Sequence, residues 1–280
     1  MSIARRAVKS IVQVPLILWS LLGVVPFVLV VALSFRSNND IFQYPLGFGG
    51  SYHISNYVTA WNGPPGTAGE VDYFRNSALA ALVTLAVSLG AGSTAAYFAT
   101  KMSWRASQWL LRAFLLGTVV PFVLIVIPIY QGYNAVDGLN NPELLGIAYG
   151  ALSLPTTVLI LYSFFSDFPK ELIDSAAVDG LGEFGTYARI VLPLSKAAIT
   201  AVGIIVLVYV WGETQLGIIL LQAPKSQTVA VGVLGFQGQF TSDLGPMFAG
   251  LSIAILPLLV LYLAFHRFIS KGIALGGVFR

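Results

Sequence analysis

There is no cysteine among the 280 residues. That excludes disulfides, thiolate metal sites and a cysteine nucleophile. Charge is nearly as scarce: Asp, Glu, Lys and Arg make up 10% of the chain, where a soluble globular protein carries about 25%. A chain so poor in charge and 56% hydrophobic buries its surface in the lipid bilayer, and only helices or closed barrels can span lipid. No stretch fits G-x-x-x-x-G-K-[ST], so there is no Walker A phosphate cradle. There is no G-x-S-x-G elbow and no H-E-x-x-H, which leaves an intramembrane enzyme without support. No basic stripe with interleaved aromatics is present, so nucleic acid is not a partner.

What is present is a series of long apolar runs. They continue for about 20 residues, which suits helices and not barrel strands. The first, 11–35, follows Arg5, Arg6 and Lys9. At about 25 residues it is too long for a signal core and reads as a membrane helix, kinked at Pro15 or Pro26. Further spans fall at about 76–100, 110–130, 144–165, 197–221 and 246–268. The second is rich in Gly, Ala and Ser, and the fourth carries Gly146 and Gly150, which let helices approach closely in lipid. Pro121 and Pro128 make the third either a kinked helix or one broken to line a pathway. Between the first two spans, Ile54, Tyr57, Val58 and Trp61 recur at i, i+3, i+4, i+7. This predicts a short interfacial helix capped by Ser55 or Asn56. The fold class is therefore an all-α integral membrane protein, one transmembrane domain over 1–280 with six transmembrane helices. Six spans put both termini on one side. With the termini cytoplasmic, 12 of the 15 Lys and Arg lie inside and 3 outside, Arg36, Arg75 and Lys225. The positive-inside rule selects that orientation. The histidines, His53 and His266, then fall on opposite sides and cannot share a metal.

The stretch 166–195 departs from the rest. From Phe168 to Leu194 it holds Glu171, Asp174, Asp179 and Glu183, too many carboxylates for a lipid-spanning helix. Pro169 suits the first turn of a helix. Leu172, Ile173, Ala176 and Ala177 make one apolar face. Asp179-Gly180 ends that helix, because glycine takes a left-handed cap without a Cβ clash. A second helix follows, with Phe184, Tyr187, Ala188 and Val191 on one side and Pro193 closing it. The pair is either a surface fold against the membrane or a docking element for a partner.

These residues resemble a specific pattern. Permeases of binding-protein-dependent ABC importers carry Glu-Ala-Ala, three residues, Gly, nine residues, Ile, any residue, Leu-Pro. Here the chain reads Asp174-Ser175-Ala176, three residues, Gly180, nine residues, Ile190, Val191, Leu192-Pro193. Asp for Glu and Ser for Ala are the departures. The chain is similar to the smaller permeases of the carbohydrate importers over most of its length, from about Asn56-Tyr57 to the Gly-rich tail. The resemblance implies the ABC type I importer permease fold in the bacterial inner membrane. It implies coupling to an ATPase through Glu171, Asp174, Ser175, Ala176, Ala177, Asp179, Gly180, Phe184, Ile190, Leu192 and Pro193. It also implies a second homologous permease, two nucleotide-binding ATPase subunits and an extracytoplasmic solute-binding protein. ATP and Mg would be bound by the ATPase, with no cofactor in this chain. The mechanism implied is alternating access for a sugar or sugar-like solute.

Two further regions are candidates. Glu213, within Trp211-Gly212-Glu213-Thr214-Gln215, lies 16 residues beyond Ala197, roughly 24 Å along a helix crossing about 30 Å of hydrocarbon. It either reaches the outer headgroups or, with Trp211 and Gln215, lines the pathway. The family has Asn where this chain has Gly212, so no sugar contact is carried over. The outer loop 222–245 contains Gly235, Gln237 and Gln239, where the resemblance implies contact with the binding protein. The alternative function, an ion-coupled secondary transporter, would call for paired ionisable residues near the midplane and inverted repeats. Neither is evident.

The orientation is testable because the chain lacks cysteine. Ser55→Cys should react with an impermeant maleimide in intact cells, and Ser175→Cys only after the membrane is opened. Labelling of Ser175→Cys in sealed cells would reverse the orientation.

Overall fold

The computed structural model describes residues 3–47, 49–64, 66–237 and 243–278. In chain order its helices are α1 (Ile3–Leu33), α2 (Asn38–Gln43), α3 (Ser55–Asn62), α4 (Glu70–Lys101), α5 (Trp104–Val119), α6 (Phe122–Ala135) and α7 (Pro142–Ser166). There follow α8 (Lys170–Val178), α9 (Glu183–Thr186), α10 (Leu192–Leu194), α11 (Lys196–Gly212), α12 (Gln215–Leu220), α13 (Val229–Gly232) and α14 (Leu244–Val278). Among the described residues there is no β-strand. By length and composition, four helices can cross a membrane: Pro15–Leu33 of α1, α4, α7 and Leu244–Phe265 of α14. Two bent pairs raise this to six if each is one span: α5 with α6 at 94°, and Glu183–Leu194 with α11 at 77°.

The bends have local causes. Of the two readings of the third span, the structure takes the broken one. Val120 and Pro121 are both extended, with ψ of 119° and 129°. The ring of Pro121 drives the residue before it out of the helical region, and two short helices result. Pro128 stays inside α6. The fifth span, expected to run unbroken over 197–221, stops at Gly212 and restarts at Gln215, with Glu213 extended between them (ψ 128°).

The chain divides into two compact units, Val71–Val231 with Pro257–Arg280, and Met1–Glu70 with Gly232–Leu256. The larger is built on α4, α7 and α11 around Leu145, Tyr149, Val158, Leu161, Val202 and Val206. At the α4–α7 contact the expectation for Gly146 and Gly150 holds. A Cβ on Gly146 would lie 2.6 Å from the Ala80 carbonyl oxygen and 2.8 Å from Val83 Cβ; on Gly150 it would lie 2.6 Å from Val87 Cβ. The close approach brings polar groups of the two helices together. Thr84 Oγ1 donates to the Gly146 carbonyl at 3.0 Å, and Ser88 and Thr157 share a hydrogen bond of 2.7 Å. In lipid such contacts replace the hydrophobic drive that association lacks there.

The smaller unit contains α1, α2 and α3. The short helix expected near residue 54 forms as α3, but neither Ser55 nor Asn56 caps it. Asn56 Nδ2 donates instead to the carbonyls of Ser34 and Arg36, each at 2.9 Å. Arg36 is buried; its guanidinium donates to the Gly47 and Ser51 carbonyls and sits 4.2 Å over the Tyr52 ring. On α2 the Ser37 hydroxyl donates to Asp40 at 2.9 Å and holds that carboxyl below its usual range.

Gly146→Ala and Gly150→Ala should each lose about 1–3 kcal/mol of stability through overpacking. Gly132→Ala, where an added Cβ meets nothing within 4 Å, should be neutral or slightly stabilising in its helix. Thermal unfolding in detergent checks this; equal melting temperatures for all three would refute the close-contact account.

Candidate coupling site

The loop from 166 to 195 folds as expected into two helices joined at a glycine. Helix α8 begins after Pro169, with Glu171 in its first turn near the positive helix end. It ends in a Schellman motif. Gly180 is left-handed at φ 79°, its N–H bonds the Ala177 carbonyl at 3.1 Å, and the Leu181 N–H bonds the Ala176 carbonyl at 3.0 Å. A Cβ on Gly180 would meet nothing within 4 Å, so only its backbone conformation demands glycine. Helix α9 starts at Glu183 and passes into a π-helical turn, Tyr187–Val191, where the Leu192 N–H reaches back to the Tyr187 carbonyl. Pro193 lies in α10, and the chain then turns at Ser195 into α11.

The single apolar face expected for α8 is split. Ala176 is 3% exposed and packs inward, Ile173 is half-buried, and Leu172 and Ala177 face out. Val178, at 87% exposure, and Phe184, at 67%, join them on the outside. Thr186, Tyr187 and Val191 are buried. Glu171, Asp174, Ser175, Asp179 and Pro193 are exposed, while Ile190 and Leu192 are half-buried. The exposed apolar set is thus Leu172, Ala177, Val178 and Phe184, on two short helices held by one glycine. Sequence reasoning missed Val178, which lies outside the stripe it followed.

It also missed what holds the second helix. Tyr97 donates to Glu183 Oε2 at 2.9 Å, Lys101 Nζ lies 3.3 Å from the same oxygen, and Ser93 bonds the Tyr187 hydroxyl at 2.7 Å. The signal was available: Ser93, Tyr97 and Lys101 recur every four residues and line one face of α4.

The structure gives Glu213 a definite local role. Its carboxylate accepts from the N–H groups of Gln215 at 2.7 Å, Leu216 at 3.1 Å and Gly217 at 3.4 Å, and from the Tyr149 hydroxyl. It caps the restarted helix α12. Trp211 stacks near Phe74 at 6.1 Å, and Gln215 is exposed. In the other unit, Gly235 lies against Pro64, and exposed Gln237 donates to Met247 Sδ at 3.4 Å. Gln239 lies outside the described residues. Among the described residues no group of His, Asp and Glu could hold a metal ion.

The chain belongs to the family described as binding-protein-dependent transport system inner membrane component, whose model matches residues 88–275. It is 27% identical to the trehalose/maltose transport system permease protein MalG of Thermococcus litoralis, over 94% of each chain. It is 26% identical to the diacetylchitobiose uptake system permease protein NgcG of Streptomyces coelicolor, over 97% of this chain and 89% of that one. A crystal structure of a bacterial ABC transporter involved in the import of the acidic polysaccharide alginate matches its fold. The TM-score is 0.77 at 15% identity, over 95% of this chain and 98% of that one.

Glu213→Ala should strip the cap from α12 and leave the buried Tyr149 hydroxyl without its acceptor, a combined loss of about 2–4 kcal/mol. Glu213→Gln, which keeps an oxygen acceptor, should lose less. Hydrogen exchange at the amides of 215–217 reports this directly; unchanged protection in Glu213→Ala would refute the capping role.

Proposed function

We propose that this chain is one permease half of an ATP-driven importer for a sugar or sugar-like solute, and that a separate ATPase subunit docks on α8 and α9. One observation carries the reading: an exposed apolar set, Leu172, Ala177, Val178 and Phe184, on a helix pair whose junction is the left-handed Gly180. Short helices bearing a small, exposed alanine and a protruding aromatic fit a groove on a partner protein. The sugar class is supported by the names of relatives that carry trehalose and maltose or diacetylchitobiose. The chain has no Walker A motif, so ATP and Mg belong to the docked partner. A second, homologous permease completes the pathway, two ATPase subunits serve the pair, and a solute-binding protein delivers cargo from outside. With 12 of 15 Lys and Arg on the side of the helix pair, that side is cytoplasmic. The outer segment around Gly235 and Gln237 is the contact for the binding protein. Closure of the ATPase dimer moves the docked helices, and access alternates between the two sides.

The docking face is open to direct test in the complex purified through this chain. Ala177→Asp should bury an unpaired charge at the interface, which costs several kcal/mol. Gly180→Val imposes a left-handed conformation on a β-branched residue, at about 1–2 kcal/mol, and should misdirect α9. Both should lower recovery of the ATPase subunit and its binding-protein-stimulated hydrolysis. Glu171→Ala should be near normal, because an exposed charge contributes little. Deleting Gly235–Gln237 should spare recovery and reduce only the stimulation. Full recovery and stimulation in Ala177→Asp and Gly180→Val would leave the helix pair a surface fold.

A further inference from the structure

The row of contacts between α4 and the second docking helix does more than hold the loop in place. Ser93, Tyr97 and Lys101 lie at i, i+4 and i+8 on α4; Glu183 and Tyr187 lie at i and i+4 facing them. The Tyr97 and Tyr187 rings pack at 5.1 Å with 32° between their planes, and Phe98 meets both. Glu183 is thus held by a long membrane helix at one end of the docking element, while Gly180 joins it to the exposed face of α8 three residues away.

The two bonds to Glu183 differ in weight. Glu183 is 57% exposed, and an ion pair with Lys101 in that setting contributes little. Tyr97 is 1% exposed, and Glu183 accepts the hydrogen bond of its hydroxyl. Losing Glu183 would leave a buried donor unsatisfied, which is the expensive side of hydrogen-bond energetics. Of the two bonds to Glu183, the phenol–carboxylate bond and not the ion pair is therefore the one that couples the two helices. Beyond Glu183 the chain is poised to transmit a shift: a π-helical turn at Tyr187–Val191, then the 77° bend into α11. Single π turns inside helices are frequent at functional sites.

We infer that Tyr97 and Glu183 are positioning residues that tie the docking helices to the second membrane helix, so that displacement of the docked loop is carried into α4. This rests on the docking reading above. Tyr97 and Glu183 do not touch the ATPase or the solute in this account; they act through α4.

The test uses the complex purified through this chain, with a spin label on Leu82→Cys, an exposed position of α4. Mg·ATP with vanadate is added to close the ATPase. Tyr97→Phe removes the hydroxyl alone and keeps the ring contacts; Glu183→Leu removes the acceptor; Glu183→Gln keeps an acceptor and drops the ion pair. ATPase recovery and trapped nucleotide are measured for all three, and the α4 response is scored per trapped nucleotide, so that a loss of docking is separated from a loss of the tie. The population of α4 that responds should fall roughly three- to tenfold in Tyr97→Phe and Glu183→Leu, and be restored in Glu183→Gln. A full α4 response in both Tyr97→Phe and Glu183→Leu would overturn the proposal while leaving docking intact. A Glu183→Gln response as poor as that of Glu183→Leu would assign the tie to charge and overturn it too. Absence of any ATPase with the parent chain would overturn the docking reading and this one with it.

Discussion

Hydrocarbon offers backbone N–H and C=O groups no partner, so a chain that crosses it must satisfy every one of them from within. That constraint makes helices of the apolar runs here, and it also governs where they are allowed to stop. Each interruption comes with its own local provision. At Pro121 the missing N–H is lost at a point where two helices meet at 94°. At Glu213 the side chain supplies the acceptors that the first amides of α12 lack, and Tyr149 on α7 adds a donor to the same carboxylate. A carboxylate within an apolar span would be costly if left alone; with its oxygens taken up by N–H and O–H groups, it becomes the means of breaking the helix.

Packing follows the same logic. Lipid tails are as apolar as the side chains, so close helix contact and interhelical hydrogen bonds take over from hydrophobic drive. Gly146 and Gly150 bring α7 onto α4 closely enough that a methyl group would collide with Ala80 or Val87, and the approach places Thr84 and Ser88 within reach of α7. The same helix, α4, then offers Ser93, Tyr97 and Lys101 to Glu183 and Tyr187. One helix therefore both carries the packing of the larger unit and holds α9 and the turn after it.

Much of this was legible beforehand. The apolar runs located the helices because their length matches hydrocarbon thickness, and Asp179-Gly180 located the junction because only glycine adopts φ 79° there without strain. The motif in 166–195 resembles the permease pattern, and the family that the resemblance names is the one the chain belongs to. Other features were not legible. Whether Pro121 kinks or breaks a helix depends on what the flanking helices pack against. Asn56 was a candidate cap by position, but its amide found the carbonyls of Ser34 and Arg36, residues 22 and 20 positions away in the chain.

By itself the sequence determined the class of protein, the rough place of the apolar helices, and the glycine-hinged helix pair, since each rests on local chemistry: hydrophobic length, spacing and backbone freedom. Only the tertiary structure decided that Ala176 turns inward while Ala177 and Val178 face out, that Glu213 caps a helix, and that Tyr97 and Glu183 meet. Those outcomes depend on which groups arrive together from distant parts of the chain: the spacing lines up Ser93, Tyr97 and Lys101 on one face of α4, but it does not say that residues 86 positions away meet that face.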